Sequence, residues 1–228
     1  MEIKYLPGAG QIDAETEGVL HEYAKLLLEM NENIRLVGPR DEETLWKAHI
    51  CNCLNLLPLM PKDGTVVDIG TGGGLPGAVL AICRRDLDFV LIDSVAKKIN
   101  ALTEILLKLR LKNVHAMCIR SEDLAVNYRE KFNCATVSAV SEAGVIAEYM
   151  SPLVKVGGTL LAMKGSSVNE ELAAVNGKWR KLGLSEPQLY EYEICEHPNY
   201  ILTWKKASPC PMRYPRQAGK AVKSPWWK

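Results

Sequence analysis

The chain has 228 residues, 47% hydrophobic and 24% charged, and a net charge of +1, which excludes disordered and fibrous classes and bounds it to one globular domain with room for an appendage. MEIKYLPGAG is no secretory leader and no apolar run reaches the roughly 18 to 20 residues that cross a bilayer, so a cytoplasmic protein without a membrane partner is expected. Seven scattered cysteines, without a C-x-x-C or an H-x-x-x-H, suit a reducing compartment and predict no metal site.

Val19, Leu20, Tyr23, Leu26, Leu27 and Met30 recur at helical spacing and predict an amphipathic helix over 13–33; a second is predicted over 42–57. Together they make a helical N-terminal extension, residues 1–61. Beyond Pro61 the pattern changes. TVVDIG, FVLID, NVHAMCI, CATVSAV and GTLLAMKG read as strands, and GAVLAICRR, AKKINALTEILLKLR and the stretches 144–154 and 168–182 read as the helices between and after them. QLYEYEI and YILTWKK follow with only EHPN between them, too little for a crossover helix, so they are predicted to pair as an antiparallel hairpin. The expectation for 62–206 is therefore an α/β fold, a mostly parallel doubly wound sheet ending in a hairpin, as in class I (Rossmann-like) methyltransferases. The remainder, 207–228, is a basic tail. Between Lys205 and Lys228 lie seven Lys/Arg and no acid, so the rest of the chain is net acidic, and Tyr214, Trp226 and Trp227 are interleaved as in segments that bind a phosphate backbone and stack on bases. A solvated tail would have the same composition.

VVDIGTGGGLPG, residues 66–77, fits two ligands. Gly72, Gly74 and Gly77 satisfy the G-x-G-x-x-G spacing of dinucleotide sites; Asp68, Gly70, Gly72 and Gly74 satisfy the acid-x-G-x-G-x-G turn of proteins that bind S-adenosylmethionine. A glycine turn before a helix offers backbone N–H groups and close approach to either. Asp68 favours the second, because a carboxylate there can hold the cationic cofactor, or else tie the turn together from within. Asp93 ends the next strand and can accept the ribose hydroxyls of either ligand. After the third strand, Ser121 and Glu122 of RSED are placed to meet an adenine, although capping of the following helix is an equally good local reading.

The strand CATVSAV is followed by neither N/D-P-P-Y/F, the mark of exocyclic amine methylation, nor a Pro-Cys nucleophile; Cys210 follows Pro209 only beyond the last strand. A ring nitrogen such as guanine N7 has an unprotonated lone pair and needs placement and water exclusion rather than a general base. That chemistry is compatible with the lack of an acid–base pair.

NENIRLVG, HICNCLNLLPL, VVDIGTGGGLPGAVLA, LIDSVAKKINAL, RSEDL, LLAMKG and RYPRQAGKAVKSP together resemble, over nearly the whole length, the bacterial small-subunit ribosomal RNA guanine-N7 methyltransferases, the glucose-inhibited division protein B family. The resemblance implies methyl transfer from S-adenosylmethionine to N7 of one guanine in 16S rRNA, with the small ribosomal subunit as partner. It implies cofactor contacts from Gly70, Leu75, Ser121 and Glu122, an RNA face of Lys97, Lys98, Lys164, Arg213, Arg216 and Lys220, and His49 and Ser138 near the target base. The chain departs from the family pattern where H-x-x-D-S-L becomes HICNCL, with Asn52 and Cys53, and where an arginine after the fourth strand becomes Ser138. Two other readings stay open at this point: a cofactor- and RNA-binding protein with little catalysis, and a dehydrogenase using the dinucleotide spacing.

Overall fold

The computed structural model describes residues 3–228. A short strand β1 (Ile3–Lys4) precedes helix α1 (Ala14–Asn31), which starts where Asp13 accepts a hydrogen bond from the Thr16 amide at 2.7 Å. The second predicted helix is broken into α2 (Glu42–Leu45), a π-helical turn (Trp46–Ile50) and α3 (Cys51–Leu54). Periodicity locates the segment but not the wide turn inside it, because a π turn shifts the apolar stripe by one residue only.

The α/β part runs β2 (Thr65–Ile69), α4 (Gly77–Cys83), β3 (Asp88–Asp93), α5 (Ala96–Lys108), β4 (Val114–Cys118), α6 (Ser121–Asn127), β5 (Phe132–Ser138), α7 (Ala143–Met150), β6 (Val154–Lys164) and α8 (Val168–Val175). A 3-10 turn (Lys178–Leu182) leads into β7 (Gln188–Ile194) and β8 (His197–Lys205), and a short α9 (Lys220–Lys223) lies near the C-terminus.

Eight strands form one sheet in the order β1-β7-β8-β6-β5-β2-β3-β4. The five from β6 to β4 are parallel, and β8 enters antiparallel between β6 and β7. The hairpin is tighter than EHPN implies: Ile194 pairs with His197 and Glu193 with Pro198, so only Cys195 and Glu196 turn, both at positive φ (51° and 65°).

One face of the sheet is covered by α4, α5 and the N-terminal helices, with Leu20, Tyr23 and Leu27 of α1 buried in the same core as Phe89 and Leu102. The extension is thus part of the main core. The other face is covered by α6, α7 and α8 and, contrary to the reading of a solvent-facing aromatic tail, by the C-terminal segment: Tyr214, Trp226 and Trp227 are buried there beside Trp179 and Trp204. Side-chain hydrogen bonds from several elements fix that segment. Trp226 Nε1 donates to the Gly144 carbonyl at 2.7 Å, Arg129 donates to the carbonyls of Cys210, Pro211 and Tyr214, and Arg216 forks onto the buried carboxylate of Glu148 at 2.6 and 2.9 Å. An aromatic ring that fills a core has lost the apolar surface it would offer to a base. Among the described residues no helix is long and apolar enough to cross a membrane, and no group of three or more His, Cys, Asp or Glu is placed to hold a metal.

Candidate active site

The carboxyl ends of the parallel strands form the edge at which open α/β sheets take ligands. At that edge Gly70, Asp93, Ser94, Lys98, Arg120, Ser121, Glu122, Val140 and Tyr149 line a cleft of about 340 Å³. Gly70 has φ +70°, and a Cβ on it would come within 2.5 Å of Val140, so the position requires glycine twice over. Asp93 holds the turn open. Its Oδ2 accepts from the Gly72 amide at 3.1 Å and its Oδ1 from the Val95 amide at 2.9 Å, which leaves further lone pairs towards the cleft. Arg120 is the N-cap residue of α6, so Ser121 and Glu122 occupy its first turn. Ser121 Oγ donates to Glu122 at 3.1 Å, and the other Glu122 oxygen accepts from the Gly219 amide, which brings the C-terminal segment to the rim.

The remaining glycine-turn residues do not line this cleft. Asp68 is fully buried beneath the turn, its Oδ1 accepting from Thr136 Oγ1 at 2.7 Å and its Oδ2 from the Gly77 amide at 3.1 Å. Burial pushes its carboxyl up to about 6, against the opposing pull of those hydrogen bonds and of the nearby Thr71 hydroxyl. Gly74 is packed against Ala78, Leu102 and the Tyr23 hydroxyl, and Leu75 against the core. Tyr23 also donates to the Gly73 carbonyl at 2.9 Å. The N-terminal helix therefore clamps the turn from outside the sheet, a contact 50 residues apart in sequence that no local pattern announces.

A second cleft, of about 230 Å³, is lined by Asn52, Ser138, Ala139, Met163, Lys164, Gly165, Ser167, Glu171, Tyr192 and Asn199. Two of the three departures from the family pattern, Asn52 and Ser138, thus share one cleft. Cys53, the third, is buried in the core. His49 is half-buried on the π turn, does not line either cleft, and is held below its ordinary pKa by burial.

The family model of GidB, rRNA small subunit methyltransferase G, matches residues 17–197. The chain belongs to this family. It is 37% identical over 209 residues to ribosomal RNA small subunit methyltransferase G of Clostridium perfringens (strain SM101 / Type A), covering 89% of this chain and 87% of that protein. It is 35% identical to the Oenococcus oeni enzyme of the same name, over 89% and 86%. Among solved structures the fold is shared with TYW2 of M. jannaschii in complex with AdoMet, at TM-score 0.55 and 14% identity over 70% of this chain and 76% of that one. It is shared too with an rRNA methylase from Streptococcus thermophilus, at TM-score 0.51 and 16% identity over 67% and 92%.

For this rRNA methyltransferase the predicted basic residues divide into two groups. Lys97, Arg213 and Lys220 are exposed and Lys98 stands at the mouth of the first cleft. Lys164 is largely buried, 2.6 Å from Glu171 and donating to the Ser141 carbonyl at 2.9 Å, and Arg216 is taken up by Glu148. In the structure these two cations are paired with the carboxylates of Glu171 and Glu148.

Proposed function

We propose that this protein methylates N7 of a specific guanine in 16S rRNA of the small ribosomal subunit, in the cytoplasm, using S-adenosylmethionine. The observation that carries the reading is the pair of clefts flanking the corner 138–140 at the carboxyl edge of the sheet. The donor set of the first fits the cofactor: Asp93 offers acceptors for ribose hydroxyls, Ser121 and Glu122 for an adenine amine, and Gly70 a backbone wall without a side chain. Asp68, Gly72, Gly74 and Leu75 shape that wall from beneath. When bound, S-adenosylmethionine supplies an electrophilic methyl group to which a ring nitrogen can present its lone pair.

No proton has to be removed from N7, so the residues act by position. Val140 lines the first cleft while Ser138 and Ala139 beside it line the second, Tyr23 of the N-terminal helix bonds the glycine turn, and buried Asp68 braces the start of α4 through Gly77. Lys97, Lys98, Arg213 and Lys220 supply phosphate contacts that bring the target to this edge.

Mass spectrometric mapping of 16S rRNA from cells with and without the gene tests the reading; an unchanged set of 7-methylguanosines would sink it. Purified protein should also bind S-adenosylhomocysteine and not NADH, and should turn over labelled methyl groups into small subunits rather than merely binding them.

A further inference from the structure

Residues 217–220, Gln-Ala-Gly-Lys, form a tight turn whose sense is set by one residue. The Lys220 amide donates to the Gln217 carbonyl at 2.9 Å, and Gly219 has φ 77° and ψ −3°. These are the angles of the third residue of a type II turn, a position open to glycine or asparagine and strained for other side chains. The turn's own bond uses the Lys220 amide, so the Gly219 N–H is left over. It donates to Glu122 Oε1 at 3.3 Å, across 97 residues of sequence.

The loop that carries this turn is anchored on both sides. Arg216 is gripped by Glu148 and also donates from Nη1 to the Ser224 carbonyl at 2.7 Å, closing the loop 216–224 across its base. Ala221 within the loop is buried, and Trp226 and Trp227 beyond it fill the core. Nothing lies within 4 Å of a Cβ built on Gly219, so the glycine is not required for space. It is required for direction. Passing from a type II to a type I turn takes ψ before the central peptide from about +120° to about −30° and φ after it from about +80° to about −90°. The peptide turns over, and its N–H points away from Glu122.

Glu122 is half-buried at the rim of the first cleft, and its second oxygen accepts from Ser121 Oγ at 3.1 Å. A glutamate side chain has several rotatable bonds, and one contact with its neighbour does not hold them all. The Gly219 donor, arriving from another part of the chain, restrains the carboxylate by its other oxygen. Each oxygen keeps a lone pair for the cleft. We propose that Gly219 is a positioning residue for the methyl donor: its N–H holds the Glu122 carboxylate as the acceptor for the 6-amino group of the adenine. This rests on the reading of the first cleft as the methyl donor's. The C-terminal segment then serves the cofactor site as well as the core.

The test is calorimetric binding, by the full-length protein, of S-adenosylhomocysteine and of its analogue with hydrogen in place of the 6-amino group. Neither ligand carries a methyl group to transfer, so no turnover is needed. Wild type should favour the amino ligand by roughly tenfold, the worth of one hydrogen bond to a charged acceptor. Gly219→Ala favours the type I turn, and Gly219→Pro can supply neither the angle nor the N–H; both should bring that ratio to about threefold or less. Gly219→Asn accepts the left-handed angle and retains the N–H, and should keep the wild-type ratio. Glu122→Ala should bring it to within about twofold of unity. A merely structural role for Gly219 would weaken both ligands by the same factor and leave the ratio in place. Absence of an amino preference in wild type overturns the inference, as does an equal fall of the ratio in Gly219→Asn and Gly219→Pro. If wild type does not bind S-adenosylhomocysteine at all, the reading of the first cleft falls and this inference with it. Binding with the preference intact in both Gly219→Ala and Gly219→Pro overturns this inference alone.

Discussion

Gly144 and Trp227 are fitted to each other: a Cβ on Gly144 would lie 2.3 Å from the Trp227 ring. The opening of α7 is thus shaped to receive the penultimate residue of the chain, and Trp226 bonds the same glycine's carbonyl. The C-terminal segment closes the core over α7.

Gly144→Ala should accordingly release the segment. Overpacking of a core contact costs about 1–3 kcal/mol, and here the added methyl would meet the buried Trp227 ring. Expected are a lower thermal midpoint, a red shift of tryptophan emission as Trp226 and Trp227 meet water, and new protease cleavage between residues 207 and 228. Unchanged emission and cleavage would mean that the rings adjust in place.

Arg216 serves the same closure. Arg216→Ala leaves Glu148, whose side chain is 1% exposed, buried without its partner, a loss of about 3–5 kcal/mol. Glu148→Gln with Arg216→Met should recover much of it, because a matched neutral pair no longer buries an uncompensated charge. If urea unfolding gives equal midpoints for the single and the double variants, the pair has no structural weight.

Much of this architecture can be read from the chain. The long strands, four of the five helices of the α/β part and the terminal hairpin follow from periodicity, and the glycine turn from Asp68 and the spacing of Gly70, Gly72 and Gly74; the short α6 (Ser121–Asn127) is not among them. What escapes is what depends on distant partners. A basic run with Trp226 and Trp227 has the same composition whether it is solvated or docked; the difference lies in Gly144, Lys178 and Arg129, which meet it from 82, 49 and 85 residues away. Likewise the contact of Tyr192 with Asn52 joins residues 140 apart in sequence, and two-residue β1 is too short to carry a period.

The division of the basic residues predicts a division in salt dependence. Replacing Lys97, Lys98, Arg213 or Lys220 by Ala should lower the slope of log K for RNA against log salt by about one for each lysine or arginine that neutralises a phosphate. Lys164→Ala should leave that slope unchanged, since its charge is already neutralised by Glu171. Filter binding to 16S rRNA across salt concentrations separates the two groups; a fall in slope for Lys164→Ala would place it on the RNA.

Gly70→Ala should weaken S-adenosylhomocysteine binding more than it weakens the fold. A left-handed φ of +70° costs a residue with a side chain about 1–2 kcal/mol, and the added methyl meets Val140, which lines the first cleft. Adding Val140→Ala removes the clash and not the backbone strain, so calorimetry on the double variant should show partial recovery of affinity. Full recovery would assign the requirement for glycine to Val140 alone.

Asp68 gives the protein a pH signature. Its carboxyl is pushed from an ordinary 3.8 up to about 6 by burial, so the folded state holds this proton more tightly than the unfolded chain. The stability it contributes is fully present below pH 3.8 and is lost as pH rises through about 6, a change of roughly 3 kcal/mol at 1.36 kcal/mol per unit. Asp68→Asn keeps an acceptor for the Gly77 amide and removes the titration. The difference in unfolding free energy between the variant and wild type should therefore shift in favour of the variant by about that amount between pH 4 and 7, measured by urea denaturation. A difference independent of pH would show that Asp68 is ionised across the whole range, held charged by Thr136, Gly77 and Thr71.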